Sequence, residues 1–412
     1  MNIHFERVCG QDVHRDSVTA CVRVPGPGGT RQEIVQKFGT TTEDLLGLRD
    51  WMKSHGVTHV AMEATGVLWK PVYYVLEGEF TVLLVNPAHM KNVPGRKTDV
   101  KDAQWIAELL ECGLLRGSFV PPPEIRELRD LVRYRAELVH ERTREVQRLH
   151  KVLQDAGIKL SSVATDIMGK SGRAMVEALI GGTTDAEALA QLAKGTLKKK
   201  LGELRKALTG RFSARHAFLA TELLAHLDYI EEAMERVGQR IEECLRPFAE
   251  EVRILSTIPG VKDRVIAKVI AEMGVNMKQW PTGKHLASWA GLAPGNRESA
   301  GKHQRCGTRK GNGWLKSALV EAAWAAVRKR DCSLSGQFFR LRGRLGAKKA
   351  IVAVAHSILT IIYECLSHRK SYEELGHSYF DQIQKRALTE RYLRKLHDLG
   401  FDVTLSPKEG AA

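Results

Sequence analysis

The first 120 residues alternate short apolar runs with helical patterns. The apolar runs predict strands at residues 8–24, 33–38, 58–63 and 81–85; we interpret the first as one strand that continues past a kink. The proline- and glycine-rich segment 25–29 predicts a turn between strands. Helical patterns at residues 42–55, 71–76 and 99–112 alternate with these runs, and Thr41 or Thr42 can cap the first of them. This alternation predicts an α/β domain whose sheet is at least partly parallel.

Beyond Pro121-Pro122-Pro123, a stiff break, the pattern becomes helical. Residues 124–156 read as one long arginine-rich helix, and residues 157–215 as short helices with a basic stretch at 194–215. Apolar residues then recur in steps of four and three, at positions 223, 227, 230, 234, 237, 241 and 245. Such heptads suit a coiled coil or a helical hairpin. The two long helices therefore either fold back within one chain or form a dimerisation stalk.

The rest of the chain also reads as helical, apart from a glycine-rich basic loop at 291–313. We predict four segments: an α/β domain at 1–120, a helical linker and coiled coil at 121–251, a helical domain at 252–370 and a tail at 371–412.

Composition narrows the class of protein. The 412 residues carry 63 Lys+Arg against 48 Asp+Glu, a net charge of +15, which favours a polyanionic partner such as nucleic acid. With 43% hydrophobic and 27% charged residues, the chain is not disordered. Its longest apolar stretch, 350–363, is short for a membrane helix, and no signal peptide is visible. Seven scattered cysteines without a CxxC pair argue against disulfides or structural zinc and fit a reducing cytoplasm.

Four acidic residues stand where a metal site would need them. Asp12 lies in the first predicted strand, Glu63 ends a later strand, and Asp99 and Asp102 share one face at the start of a helix. Carboxylates are the ligands that Mg²⁺ or Mn²⁺ prefers, and grouped acids need a cation to offset their repulsion. Taken singly, Asp99 also suits a helix cap and Asp102 a favourable charge in the first helical turn.

The order of these acids resembles the RuvC-like branch of the RNase H fold. The segments GQDVHRD (10–16), MEATG (62–66) and RKTDVKDA (96–103) are similar to the DEDD transposases of the IS one-ten (IS110) insertion-sequence family. The resemblance spans residues 5 to about 115 and resumes at 252–340. It implies a RuvC-like α/β domain, a helical middle and a C-terminal all-α transposase domain.

A second group of residues suits contact with phosphates. Pro259-Gly260, followed by Lys262, is similar to the turn of a helix-hairpin-helix, whose N–H groups can face a phosphate; a plain helical corner is the alternative. The loop at 291–313 carries cationic or polar side chains among glycines, namely Arg297, Lys302, His303, Arg305, Arg309 and Lys310. Ser299 lies among them, and Cys306 is a rival nucleophile.

The resemblance assigns a role to Ser299. Ser299-Ala-Gly-Lys302 falls on the family's Ser-x-Gly-Lys pattern, whose serine joins to DNA, although the family often has glycine where this chain has Ala300. The implied enzyme is a DNA recombinase that forms a phosphoserine link beside Mg²⁺ and conserves the energy of the phosphodiester bond. The chain accordingly lacks a Walker-type nucleotide loop.

The resemblance also implies partners: element and target DNA, a guide (bridge) RNA, and further copies of the chain in a dimer or tetramer. The two groups of residues could then meet within one chain or between protomers. For RNA we single out Arg129, Arg133 and Arg142 together with the 194–215 stretch, the alternative being a solvated, salt-bridged helix. Two other functions stay open, a hydrolytic RuvC-like nuclease or junction resolvase and a non-catalytic nucleic-acid-binding protein.

Overall fold

The chain divides into two compact units, Met1–Val120 and Pro121–Ala412. The computed structural model describes residues 3–86, 99–295, 298–299, 302–303, 307–377 and 379–405. Within these residues the first unit is α/β, and the second is helical apart from one short hairpin. The predicted combination of an α/β unit with a helical remainder is therefore confirmed.

A five-stranded sheet forms the centre of the first unit. Its strands are β1 (Val8–Val13), β2 (Val18–Pro25), β3 (Arg31–Phe38), β4 (His59–Glu63) and β5 (Thr81–Val85). Their order is β3-β2-β1-β4-β5. The first three strands pair in antiparallel fashion, whereas β4 and β5 run parallel to β1, as the alternation of strands and helices predicted.

One strand prediction was wrong. Residues 8–24 do not form a single kinked strand, because the chain reverses after β1 and returns as β2. The turn is closed by the His14 N–H, which donates to the Ser17 carbonyl at 2.9 Å, and Val13 pairs with Val18. Both arms are apolar and only four polar residues separate them, so the pattern resembled an interrupted strand.

Three helices cover the two faces of this sheet in the described residues: α1 (Thr42–Ser54), α2 (Trp69–Leu76) and α3 (Asp99–Glu111). Thr41 caps α1 through a reciprocal pair of hydrogen bonds with Asp44, which confirms one of the two predicted caps. Helices α1 and α2 pack on the face that carries Cys9, Val60 and Met62. Helix α3 packs on the opposite face, which carries Val8, Ala61 and Val85.

The second unit consists mainly of helices. They are α4 (Pro123–Asp155), α5 (Lys170–Ile180), α6 (Ala186–Gln191), α7 (Leu201–Leu208), α8 (Ala214–Leu245), α9 (Ala249–Ser256), α10 (Asp263–Met273), α11 (Gly283–Trp289), α12 (Gly313–Ala326), α13 (Ser333–Leu345), α14 (Ala347–His368) and α15 (Tyr379–Asp398). A hairpin of β6 (Glu298–Ser299) and β7 (Lys302–His303) lies between α11 and α12.

The two long helices α4 and α8 form an antiparallel hairpin within the chain. Three ion pairs fix the register, Glu127 with Arg240, Arg142 with Glu231 and Asp155 with Arg215, at N···O distances of 2.7, 2.8 and 2.7 Å. Leu138 of α4 is buried against Ile230 and Ala233 of α8. The heptad pattern thus serves an intramolecular hairpin here, and oligomerisation stays a prediction that rests on the family resemblance.

Helix α14 forms the centre of the last part of the chain. Its buried positions include Ala350, Val354, Ile358 and Ile362, and it packs against α12 and α13. Among the described residues it is the helix long and apolar enough to cross a membrane by length and composition, but half of its most apolar window is buried. This burial is typical of the core helix of a folded domain.

Gly260 is required where the turn between α9 and α10 meets α12. Its φ is +80°, and a Cβ there would lie 2.1 Å from the Ala322 carbonyl oxygen. We expect Gly260→Ala to lower the free energy of unfolding of the second unit by about 3 kcal/mol, through overpacking and backbone strain. Chemical denaturation measures this change. The control is Gly343→Ala, on α13 with open space around it, which should change stability by no more than about 1 kcal/mol; equal effects of the two variants would contradict the prediction.

Candidate active site and nucleic-acid interface

The pairing of β1 with β4 brings two of the predicted metal ligands to neighbouring strands. The parallel register places Gln11 beside Met62, so the next residues, Asp12 and Glu63, stand at the same level. Alternation along each strand then determines the face. Val8 and Ala61 face helix α3, and Asp12 and Glu63 lie an even number of residues further along. Both acids therefore belong to the face that α3 covers, at the carboxyl ends of their strands.

Helix α3 brings the other two acids toward the same end of the sheet. Its last residue, Glu111, accepts backbone hydrogen bonds from His4 and Phe5 at 2.8 and 3.1 Å, so its C-terminus lies near the start of β1. Its middle lies on Gly10, where a Cβ would be 2.3 Å from the Ala103 oxygen. The helix thus runs antiparallel to β1, and its first turn, which includes Asp102, lies toward the Asp12 end of the strand.

The side chains of the acids are only partly assembled into a site. The Asp12 side chain is 14% exposed, and its Oδ2 lies 3.0 Å from His14 Nε2. Glu63 and Asp102 are half-buried, and the side chain of Asp99 lies outside the described residues. Among the residues that the structure describes, no three His, Cys, Asp or Glu side chains come close enough to hold a metal ion. The structure therefore brings the positions together but shows no ready-made metal site. The all-oxygen donor set still suits Mg²⁺ or Mn²⁺ in chemical type.

A buried ion network fixes the far end of α3. The Glu111 side chain is 4% exposed and pairs with Arg23 at 3.0 Å and with Arg31. Arg23 also pairs with Glu33 on β3, and Gln104 of α3 donates to Glu33 at 3.0 Å. These contacts tie the helix that carries Asp102 to strands β2 and β3, so they act as positioning contacts for the acidic group.

The predicted nucleophile lies on a narrow ribbon, which we call the serine loop (residues 290–312). Its arms are joined where Pro294 bridges Thr308 and where Glu298 and Ser299 pair with His303 and Lys302. Ser299 is therefore part of the pair nearest the end of the ribbon. The side chains of Ser299, Lys302 and His303 lie outside the described residues, as do Arg297, Arg305 and Cys306 as a whole.

The base of the serine loop is held by defined contacts. Lys316 Nζ donates to the Gly291 carbonyl at 3.1 Å and to Thr308 Oγ1 at 2.7 Å, which ties the two arms together. Asn312 caps α12 by accepting from the Leu315 N–H at 3.0 Å. Arg309 and Lys310 are exposed next to this base, so both remain available for phosphate. A firmly held base is what a loop needs in order to present a reactive side chain repeatedly in one place.

Two arginines predicted to bind nucleic acid also make structural contacts within the fold. The Arg133 guanidinium donates to both carboxylate oxygens of Glu272, at 2.7 and 2.8 Å, and Arg129 donates to the Ala271 and Glu272 carbonyls at 2.9 and 2.8 Å. Glu272 is 1% exposed and also accepts from Asn312 Nδ2 at 2.7 Å. The cluster links α4, α10 and the base of the serine loop, and contact of Arg129 or Arg133 with nucleic acid stays a prediction.

Breaking this cluster should destabilise the second unit strongly. Glu272→Gln removes the charge that offsets two partly buried guanidinium groups, and we expect it to cost about 3–5 kcal/mol of unfolding free energy. The matched control is Glu231→Gln, which breaks the more exposed pair with Arg142 and should cost about 1 kcal/mol or less. Urea denaturation followed by tryptophan fluorescence measures the free energy of unfolding of both variants. A loss for Glu272→Gln smaller than that for Glu231→Gln would show that the Glu272 cluster does not stabilise the second unit.

The remaining basic positions differ in their contacts within the chain and in their exposure to solvent. Arg142 is occupied by Glu231 across the long hairpin. Lys262 is exposed and donates to the Ser256 carbonyl at 3.1 Å, closing the turn that contains Gly260. By contrast, three consecutive lysines of the basic stretch, Lys198, Lys199 and Lys200, are exposed. Gly260 itself is used for packing on α12, and its contact with phosphate stays a prediction.

Three buried cysteines, Cys9, Cys21 and Cys332, are poor alternatives to a serine nucleophile. Burial raises the pKa of the Cys21 thiol to about 12 and also raises the pKa of the Cys9 and Cys332 thiols. Thiols of this kind stay protonated at neutral pH and do not attack phosphorus. Cys306, the predicted rival, lies outside the described residues.

Sequence reasoning missed three polar residues of structural importance. His14 lies two residues from Asp12 in the β1–β2 turn, and the sequence did not predict that it contacts Asp12. Glu111 and Glu272 each lie at the end of an amphipathic helix, on the buried side. An acid on an otherwise apolar helical face is a sign, visible in the sequence, that it has a buried partner. For Glu272 that partner is Arg133, about 140 residues away, so local pattern cannot identify it.

Two family models match the chain, one over the α/β unit and the helix that follows it and the other over part of the second unit. A model of DEDD transposases of the IS110 group matches residues 9–158, and a model of transposases of the IS116/IS110/IS902 family matches residues 252–338. The first covers the sheet with its acidic group and all of α4. The second covers the Gly260 turn, the serine loop and α12.

Curated relatives agree with these matches. A probable family 20 transposase of Pseudomonas aeruginosa is 27% identical over 331 residues, which are 79% of this chain and 88% of the relative. The transposase for insertion sequence element IS1111A of Coxiella burnetii is 27% identical over 70% of this chain and 72% of its own length. The pilin gene-inverting protein of Moraxella bovis is 23% identical over 82% of this chain and 91% of its own length. With both transposase domains present and transposase relatives aligned over most of its length, this chain belongs to the IS110/IS116/IS902 family of insertion-sequence transposases.

Proposed function

We propose that this transposase exchanges DNA strands through a covalent phosphoserine, with a divalent cation bound by Asp12, Glu63, Asp99 and Asp102. The observation that carries the proposal is the β1–β4 register, which sets Asp12 and Glu63 side by side on the face covered by α3. Converging acids at the carboxyl ends of neighbouring strands are what a phosphodiester-cleaving site requires. The strand order, three antiparallel strands followed by two parallel ones, supports a RuvC-like RNase H fold for the first unit.

The acids and the serine have separate tasks in this reaction. When bound, Mg²⁺ or Mn²⁺ supplies charge neutralisation at the scissile phosphate. The carboxylates hold that cation, and the partly buried Asp12 is oriented by His14. Four carboxylates suit one or two divalent ions, and the reaction is the same in outline for either number.

Ser299 provides the nucleophile. Its Oγ forms a bond to phosphorus, its proton passes to solvent, and the bond from phosphorus to the leaving deoxyribose oxygen breaks, that oxygen taking up a proton. In the second step the hydroxyl of the partner DNA strand loses its proton to solvent and forms a bond to the same phosphorus, the bond from phosphorus to Ser299 Oγ breaks, and the serine takes up a proton. One phosphodiester bond is exchanged for another, so no nucleotide triphosphate is consumed. The exposed Arg309 and Lys310 beside the loop base would hold the flanking phosphates.

The partners follow from this chemistry. Strand exchange needs two DNA sites, the element end or junction and the target, and at least two active serines favour a dimer or tetramer. A relative named for inverting a pilin gene fits an enzyme that cuts and rejoins DNA. We further propose that a guide RNA from the element reads the DNA sequence, with the exposed lysines 198–200 as its contact. Such a reaction would take place in the bacterial cytoplasm, at the nucleoid.

Trapping the covalent intermediate tests the proposal. Purified protein is incubated with Mg²⁺ and end-labelled element-junction DNA, with and without RNA transcribed from the end of the element, and the mixture is denatured and separated by electrophoresis. We expect label that migrates with the protein, dependent on Mg²⁺ and increased by the RNA. Cleaved DNA without any protein-linked label would instead identify a hydrolytic nuclease, and an adduct that forms equally without RNA would overturn the guide.

A further inference from the structure

A cavity of about 590 Å³ lies between the base of the serine loop and helix α14. Leu292, Pro294 and Thr308 line it from the loop side, and Val352 and Ala353 line it from α14. Its volume falls in the range of about 300–1,000 Å³ that small-ligand sites occupy. None of its lining residues was singled out from the sequence as a ligand contact, and the proposed chemistry at Ser299 does not use the cavity.

The wall of the cavity contains a buried hydrogen-bond acceptor without a partner. Gln337 is 9% exposed, and its Oε1 accepts no hydrogen bond from any described residue. The orientation of this amide is determined by its neighbour. Ser357 Oγ donates its proton to the Ala353 carbonyl at 3.3 Å and accepts from the Gln337 Nε2 at 2.9 Å. In this arrangement the amide oxygen is the end left unpaired, and a ligand N–H would satisfy it.

Two further features describe the ligand. His356 also lines the cavity, and burial lowers the pKa of its imidazole, so at neutral pH the ring is uncharged and offers one donor and one acceptor. Lys348 and Lys349 stand among the lining residues and are exposed. The site thus combines apolar walls, an acceptor and a neutral ring in its interior, and two cations toward solvent. A planar heterocycle with N–H groups, joined to a phosphate, matches this combination.

We propose that the cavity receives one unstacked nucleobase of the DNA strand on which Ser299 acts, while Lys348 and Lys349 contact the adjoining phosphate. The inference rests on the proposed function, because it assumes that the serine loop binds DNA. Unstacking a base costs free energy, and enzymes recover that cost by hydrogen bonds to the edge of the flipped base in a fitted pocket. Because the cavity touches the base of the loop, a seated base would fix the strand relative to Ser299 and so help to select which phosphate reacts.

The test uses 2-aminopurine, an adenine analogue whose fluorescence rises when it leaves the base stack. The analogue is placed at successive positions around the reacting phosphate of the element-junction DNA, and the DNA is bound to the full-length Ser299→Ala protein, so that no reaction interferes. We expect one position to brighten by about three-fold or more. Ala353→Phe fills the cavity and should abolish the rise. Glu364→Phe puts the same side chain on an exposed site of α14 and should keep it.

Gln337→Met provides a second variant, because it keeps the volume but removes the acceptor, and it should reduce the rise by at least about three-fold if Ala353→Phe does not fold. Bound DNA without brightening at any position, or brightening that survives in a folded Ala353→Phe protein, would overturn the cavity proposal alone. The trapping experiment on wild-type protein is run in parallel. An adduct there shows that the proposed function stands, whereas absence of both DNA binding and adduct would overturn the two together.

Discussion

Ser299→Ala is expected to abolish the protein-linked DNA and to reduce strand exchange by about a thousand-fold or more, since loss of a covalent nucleophile removes the whole two-step route. DNA binding should change little, because the hydroxyl is small and the loop base is held by Lys316 and Asn312 through contacts that the substitution does not touch. The measurement is the amount of label that migrates with protein under denaturing conditions, together with recombined product from the same reaction.

Cys306→Ser is the control for this result. Cys306 stands in the same loop and is the rival nucleophile, so its replacement should leave the adduct in place. An adduct that persists in Ser299→Ala and vanishes in Cys306→Ser would transfer the role to the cysteine. DNA cleavage that continues in Ser299→Ala without any adduct in wild type would show that water is the nucleophile and that the serine loop only binds DNA.

The fold was predictable where local pattern decides it. Short apolar runs located β3, β4 and β5, and Thr41 or Thr42 marked the start of α1 because a side-chain cap is a local signal. The β1–β2 turn was missed because four polar residues between apolar arms fit either a kink or a reversal. The heptads on α8 likewise fit both a hairpin and a dimer, since the same apolar stripe is buried in each case.

For the candidate site, too, the sequence predicted some features and missed others. The acids and Ser299 were identified by type, order and resemblance, and the structure then placed Asp12 and Glu63 at one level of neighbouring strands. What the sequence could not supply were partners distant along the chain. Arg133 lies on an arginine-rich helix, which predicted RNA binding. Only the fold shows that Glu272, 139 residues away, accepts hydrogen bonds from its guanidinium. The cavity between the base of the serine loop and α14 is also formed by separate segments of the chain. No local sequence pattern therefore predicts that Gln337 or His356 lines it.

Gly10 links sequence, packing and chemistry most directly. It precedes Asp12 by two residues on the same face of β1, and helix α3 lies directly on it. A Cβ at Gly10 would lie 2.3 Å from both the Ala103 oxygen and the Ala107 nitrogen, so α3 must move by about 1 Å to make room. Because that helix carries Asp99 and Asp102, we expect Gly10→Ala to lower strand exchange at least about a hundred-fold, the size of effect that a misplacement of about 1 Å can have. The same assay on labelled junction DNA measures the loss.

The matched control for Gly10→Ala is Gly47→Ala. Gly47 lies within α1 with open space around its Cα, so alanine there should leave activity unchanged and stabilise the helix by about 0.5–1 kcal/mol. Thermal unfolding separates displacement from collapse: a Gly10→Ala protein that melts cooperatively but does not react has a misplaced α3 rather than an unfolded domain. Higher concentrations of Mn²⁺ should restore part of its activity, because excess metal offsets weaker binding by displaced carboxylates. Full activity in Gly10→Ala would mean that the first turn of α3 does not belong to the reacting site, and the acids would then have to act without Asp99 and Asp102.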